Sequence, residues 1–475
     1  MTITAERTTT RPGTVLLLTS GATFLAFLDT TVVNVAFPAV RSDFAGASVT
    51  TLSWVVSAYA VLLAALLTPA GRLADVLGRR RLFLVALGAF TAASAVSAIA
   101  PNVETLIAFR AVQGAAAAGM IPAALGLVLF ETPPERRAAA VGVWGAAAAM
   151  ASATGPSLGG VLIELDSWRA AFLINVPLGL ALLAGGLRRL PRDVPTGHQL
   201  PDPIGTVAIT VGVGSVVAGL TEGSGWGWSS WPTVATLAGG VALVALGLAR
   251  SRTHAAPAVE IALWRDRTFA MANLVSLLAG LGMFAWLLCG PLFTTTIWGY
   301  SILTAGLAVT PGAFTSAIAS MVVGRRVPPR LQPVAVFVGL ALFAVNGFWM
   351  YGALDAEPAF LTVWLPAGLL GGAGIGAALT GLSTIAAGAV PPQRFATGIG
   401  LTTTARQLGG ALGIAVAAVI LAERGVTGPL GFREVFLFSA IAAAVGGVAA
   451  LGMVRLGLPT ARPLGRPWTS WRRTV

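Results

Sequence analysis

Asp29 stands in the run FLAFLDTTVVNVAFP and is read as the only one of the 18 acidic residues set deep inside an apolar segment. A charged carboxylate at the centre of a bilayer costs roughly 2.5–3.5 kcal/mol on insertion scales. A carboxyl kept out of water can bind and release a proton, which is the least a protein needs to couple proton movement to another event. The plainer reading is a carboxylate pinned by neighbouring hydroxyls or by an arginine. Arg110, in FRAVQGAAAAGMIPA, is the candidate partner. It falls on one helical stripe with Gln113, Gly114, Ala117, Ala118 and Ile121. Snorkelling of Arg110 toward the nearer interface is its alternative. Asn34 lies five residues from Asp29, about 140° of helix rotation, so the two do not share a face. Asn34 then lines a cavity or bonds a neighbouring helix, and Pro38 ends or bends the segment.

Two further segments have the composition of moving parts. GRLADVLGRRRLF holds Gly71, Asp75, Gly78, Arg79 and Arg80. The glycines allow close approach or a tight turn, and Asp75 can pair with an arginine, which makes a conformational latch. GVWGAAAAMASATGPSLGGVL places Ala147, Ala151, Gly155 and Gly159 at four-residue spacing, a seam for backbone-to-backbone helix packing. Pro156 removes a helical hydrogen bond, so Gly155, Pro156, Gly159 and Gly160 read as a hinge. Candidate cavity residues are Asn34, Trp54, Gln113, Trp144, Trp286 and Arg406. For the tryptophans, lipid-facing or packed positions are the common alternative.

The elements that must position these residues follow from composition. Of 475 residues, 56% are hydrophobic and only 10% charged. A soluble chain of this length carries about a quarter charged residues, so lipid is the solvent for most of this one. Fourteen apolar runs are expected, from 15–40 to 433–456, each near the length that spans a bilayer. All 30 basic residues are arginines. Under fourteen alternating spans, 24 fall on one side and 4 on the other, with Arg110 and Arg406 inside or at the edge of helices. That asymmetry places both termini in the cytoplasm by the positive-inside rule. The net charge of +12 does not indicate nucleic acid, because the arginines sit between apolar runs rather than on one soluble face. A single cysteine, Cys289, excludes an intrachain disulfide, and His198 and His254 cannot assemble a metal site. The expected organisation is a six-helix bundle over 1–190, a linker with two inserted spans over 191–265, and a second six-helix bundle with a basic tail over 266–475. Two bundles around a midplane site are what alternating access requires.

LDTTVVNVAFP, GRLADVLGRRR, RAVQGAAAAGMIPAAL, GPSLGG with SWRAAFLINVPLG, and the later TARQLGGALGIAV together resemble the fourteen-span drug:proton antiporters of the major facilitator superfamily, the EmrB/QacA type. The resemblance covers most of the chain. It implies an all-α membrane protein of the major facilitator fold, placed in the cytoplasmic membrane, whose partners are a small lipophilic substrate and the bilayer. It implies export of drugs or antibiotics against proton entry, hence multidrug efflux, with protons as the coupling ion and no other cofactor. By motif, Asp29 is the first-span carboxyl, Arg110 the span-four proton-relay arginine, and Gly155, Pro156, Gly159 and Gly160 the antiporter motif. The second-half counterpart of the latch loop is eroded, which puts a symmetric latch in doubt. The last six spans lack a deep acidic residue, which favours neutral or monocationic cargo over dications. A monomer is expected. A proton-linked importer, or an exporter of one specific metabolite, is the rival transport reading. An intramembrane enzyme is disfavoured, since no span contains a histidine or a paired acid.

Overall fold

The computed structural model describes residues 12–47, 49–165, 167–193 and 200–455. Asn34, Pro38 and Pro156 sit on helical backbone, but their side chains lie outside the described residues, as does His198. Among the described residues there are fourteen helices long and apolar enough to cross a membrane.

The first six are α1 (Pro12–Asp43), α2 (Val49–Leu77), α3 (Arg79–Ala98), α4 (Val103–Glu131), α5 (Arg137–Leu165) and α6 (Asn175–Arg189). The inserted pair is α7 (Pro203–Trp226) and α8 (Trp231–Thr253). The last six are α9 (Arg267–Thr296), α10 (Ile302–Arg326), α11 (Gln332–Ala353), α12 (Leu365–Gly388), α13 (Phe395–Arg424) and α14 (Pro429–Arg455).

Several helices begin where side chains satisfy their free N–H groups. Asn102 accepts from Thr105 ahead of α4, Asp266 from Thr268 and Phe269 ahead of α9, and Ser301 from Thr304 ahead of α10. Asp202 caps α7 through the N–H groups of Ile204 and Gly205. It also accepts from Arg250 at the end of α8, and that bond holds its carboxyl below the ordinary 3.8. The inserted pair is therefore tied together at its arginine-bearing end. One span begins irregularly: Phe360–Trp364 forms a wide π-type turn before α12. Pro366, which has no N–H, lies two residues past it.

Packing divides the helices into two groups. In the first, α1 lies on α5, α2 on α4, and α3 on α4 and α6. In the second, α9 lies on α13 and α14, α11 on α12 and α14, and α10 on α12. The groups meet along two seams, α5 with α10 and α2 with α13. The pair α7–α8 rests through α7 against α2 and α13, outside one of those seams. α4 is the most enclosed span and α8 the least. The helix that carries Arg110 is thus the one shielded best from lipid.

Candidate functional site

Asp29 and Arg110 meet inside the first group. Arg110 Nη1 donates to Asp29 Oδ2 at 2.5 Å, and the two side chains are 1% and 0% exposed. Oδ1 of the same carboxylate accepts from Gln113 Nε2 at 3.1 Å and from Asn175 Nδ2 at 2.7 Å. Ser94 of α3 binds both of those amides, at 2.6 and 3.2 Å. The guanidinium also donates through Nε to the Val55 carbonyl of α2 at 3.0 Å and through Nη1 to Gln113 Oε1 at 3.0 Å. Its carbon lies 4.4 Å from the centre of the Tyr59 ring. Five elements, α1, α2, α3, α4 and α6, converge on one buried charge pair. Such a pair persists out of water only when its polar atoms find partners, and here both carboxylate oxygens and the guanidinium Nε and Nη1 are bonded, while Asn175 Oδ1 has no partner among the described residues. Arg110 does not snorkel to an interface. Gln113, expected to line a cavity, instead belongs to this sealed network. Asn175 and Ser94 were not singled out in the sequence, because a lone amide or hydroxyl in an apolar run carries no signal until its partner is known.

A second cluster joins the two groups at the arginine-rich end. Asp75 of α2 accepts from the backbone N–H of Thr397 at 2.7 Å and from its hydroxyl at 2.8 Å, both in the first turn of α13. The positive end of that helix adds to the attraction. Arg79 holds Asp75 at 2.7 Å and donates to the Pro392 carbonyl at 2.6 Å. A Cβ on Gly71 would run into the Ala396 carbonyl, so only glycine lets α2 approach α13 this closely. Glu260, between α8 and α9 and 3% exposed, pairs with both Arg72 of α2 and Arg394 just ahead of α13. The connection from the inserted pair therefore clamps both groups, a role that sequence spacing did not reveal.

Gly78 and Arg80 do something different from the expected latch. Gly78 has φ +110°, a backbone conformation that favours glycine. Asp193, beyond α6, accepts from the N–H groups of Arg80 and Arg81 at 2.9 and 2.8 Å and so caps α3. Arg80 Nη2 reaches the Leu187 carbonyl at 2.9 Å. These contacts fasten the first group to its own linker and do not cross to the second group.

The glycine motif of α5 serves two neighbours. A Cβ on Gly155 would collide with the Thr31 side chain, and Gly159 abuts Val32; both contacts are on α1, beside Asp29. A Cβ on Gly160 would meet Leu303 of α10 at an ordinary 3.6 Å, and Thr310 of α10 donates to the Ala153 carbonyl at 3.2 Å. α5 thus touches the carboxylate-bearing helix on one side and the opposite group on the other.

Of the expected cavity residues, Trp286 is turned into the second group. Its N–H meets Asn346 Oδ1 at 3.2 Å, and its ring lies 6.1 Å from that of Trp364. Trp54 is half-buried against the apolar cluster that spans the two groups. Trp144 is 6% exposed within that cluster, and its indole N–H has no partner among the described residues. Arg406 is half-buried on α13. Glu222 of α7, buried to 5% exposure, accepts from Ser53 at 3.4 Å. Asp29 is therefore not the only acid enclosed in a span. The sequence reading passed over Glu222 because it lies near a helix end in a Gly- and Trp-rich stretch.

Two six-helix groups joined by a clasp at one end, with a charge pair sealed inside one of them, have the architecture of a polytopic membrane transporter. The profile of the Major Facilitator Superfamily matches residues 19–414, and the chain belongs to that family. It is 36% identical to the cephamycin export protein CmcT of Amycolatopsis lactamdurans, over 85% of this chain and 84% of that protein. It is 36% identical to the puromycin resistance protein pur8 of Streptomyces alboniger, over 84% and 80%. It is 32% identical to the multidrug export protein EmrB of Haemophilus influenzae, over 84% and 79%. The fold resembles the crystal structure of the human organic anion transporter MFSD10 with a TM-score of 0.68 at 18% identity, covering 91% of this chain and 99% of that one.

Proposed function

We propose that this protein exports small lipophilic drugs or antibiotics across the cytoplasmic membrane in exchange for protons, by alternating access, with its arginine-rich face in the cytoplasm. The observation that carries the proton half of this reading is the Asp29 carboxylate, wholly buried and ion-paired to Arg110. The export half is supported by the relatives, whose names describe export of or resistance to antibiotics and drugs.

Protonating Asp29 removes the charge that neutralises Arg110. The guanidinium also grips the Val55 carbonyl of α2, the helix whose other end is clasped to α13. Loss of the pair therefore acts on the helix that holds the arginine-rich end shut. Each entering proton carries about 2.3 kcal/mol per 100 mV of membrane potential, plus the pH term. Proton and cargo use separate places in this scheme: the carboxylate lies within one group, and cargo moves between the groups. The acids of the last six spans, such as Glu423 and Glu434, are not buried among the described residues, which argues against dicationic cargo. A monomer suffices, since each chain holds both groups.

Everted membrane vesicles test the direction and the coupling together. Acidifying the lumen should drive cargo into the vesicles. An importer would empty preloaded vesicles under the same gradient, and a proton-independent carrier would ignore it.

A further inference from the structure

Arg110 has Asp29, whereas Arg406, near mid-length of α13, has no comparable partner. Among the described residues it makes no ion pair, hydrogen bond or contact with an aromatic face. An unpaired guanidinium at that depth is costly to insert, and a polar or charged group inside a span is by default a functional one.

Its position tells what it faces. Every residue of α13 from Phe395 to Thr404 is buried, and the four from Ala405 to Leu408 are all partly exposed. The change comes where the Thr68 and Thr404 hydroxyls, 2.8 Å apart, close the two groups against each other. Arg406 lies two residues beyond that contact, about 3 Å further toward the arginine-poor end. Lipid does not account for the exposure. The outer face of α13 is marked by Leu412, 38% exposed, and Arg406 is rotated about 120° from it. Gly409 and Gly413 back onto the Leu277 and Leu281 carbonyls of α9. Arg406 stands between that contact and Gly410, which meets the ring of Phe284. Gly280 of α9 packs on the Arg406 backbone, so the side chain leaves α13 on its α9 face, partly exposed just beyond the Thr68–Thr404 contact and beside the Phe284 ring.

We propose that Arg406 reaches from the α9 face of α13 into the cleft between the groups and binds an anionic group on the cargo, so that the preferred substrates are lipophiles carrying one carboxylate, phenolate or comparable anion. This rests on the cleft being the cargo path of the exporter proposed above. It narrows the cargo class away from monocations, which a bare guanidinium repels. Arginine suits the task because its planar fork matches a carboxylate and it stays charged at any physiological pH.

The test uses purified protein at fixed pH, with no gradient, and three fluorescent probes sharing one apolar body: 1-pyrenebutyrate, its methyl ester, and 4-(1-pyrenyl)butyltrimethylammonium. The wild type should bind the acid about tenfold more tightly than the ester, with the ammonium weakest. Arg406→Gln should bring the acid down to the affinity of the ester and leave the ester unchanged, while Arg406→Lys keeps the preference for the acid. The proposal is overturned if the wild type binds acid and ester alike, if Arg406→Gln keeps the preference, or if that variant weakens both probes equally. The wild-type comparison decides even if Arg406→Gln does not fold. Because no proton gradient is involved, the outcome is independent of whether Asp29 couples transport.

Discussion

Replacing Asp29 by Asn keeps the side-chain volume and removes the charge, which is close to what a proton does. Arg110 would then lie 1% exposed without a counterion. Removing one member of a buried ion pair costs about 3–5 kcal/mol. Arg110 keeps the Val55 carbonyl, the Gln113 amide oxygen and the Tyr59 ring face, so the lower end applies, about 3 kcal/mol. A membrane potential of 100 mV with one pH unit supplies about 3.7 kcal/mol per proton. One proton is therefore enough to undo the pair, and a permanently neutral residue should leave it undone. In everted vesicles Asp29→Asn should lose pH-driven uptake while still inserting in the membrane. Its thermal unfolding should fall below that of the wild type. Adding Arg110→Gln should restore most of that stability without restoring transport, since two neutral side chains leave no uncompensated charge. Normal proton-driven uptake by Asp29→Asn would remove this carboxyl from the coupling. If the double variant were as unstable as the two single losses added together, the pair would not be the energetic unit described here.

Three other perturbations separate the parts. Glu260→Gln strips the carboxylate that Arg72 and Arg394 share, so spin labels placed across the arginine-rich ends of α2 and α13 should show a larger open population; an unchanged distance distribution would mean that Glu260 does not hold the ends together. Gly155→Ala should cost about 1–3 kcal/mol of stability and slow transport because its Cβ meets the Thr31 side chain, whereas Gly160→Ala, with only an ordinary contact to Leu303, should be near neutral; equal effects in thermal unfolding and uptake would contradict this packing. Asp43, at the arginine-poor end of α1, is held below its ordinary 3.8 by hydrogen bonds from Arg169 and Trp168. A depressed carboxyl adds stability above its unfolded value and loses it only as pH falls through the folded one, so this pair stays intact down to about pH 4. Asp43→Asn should therefore leave the pH profile of transport between 5 and 8 unshifted.

Much of the site was legible as residue types, and less of it as roles. Asp29 and Arg110 could be matched in the sequence because a buried charge demands an opposite one, and their segments offered few candidates. Asp75 and Arg79 were legible as partners for the same reason. Gly78 and Arg80, on either side of Arg79, were grouped with them by proximity alone, and they fasten α3 to its own linker instead. Gln113 and Trp286 were assigned to a cavity from their types, yet each faces the inside of a bundle.

By itself the sequence determined the membrane as solvent, the fourteen spans and the asymmetry of arginine. These depend on composition and on the length and order of the apolar runs. Only the tertiary structure decided that Glu260 clamps both helix groups, that Asn175 completes the Asp29 site from 146 residues away, and that Arg406 stands unpaired on the α9 face of α13. The physical reason is that the partner of a charge or an amide in a helical bundle is set by which helix faces touch. Turning a helix by one residue rotates every side chain on it by about 100° and exchanges all of those partners.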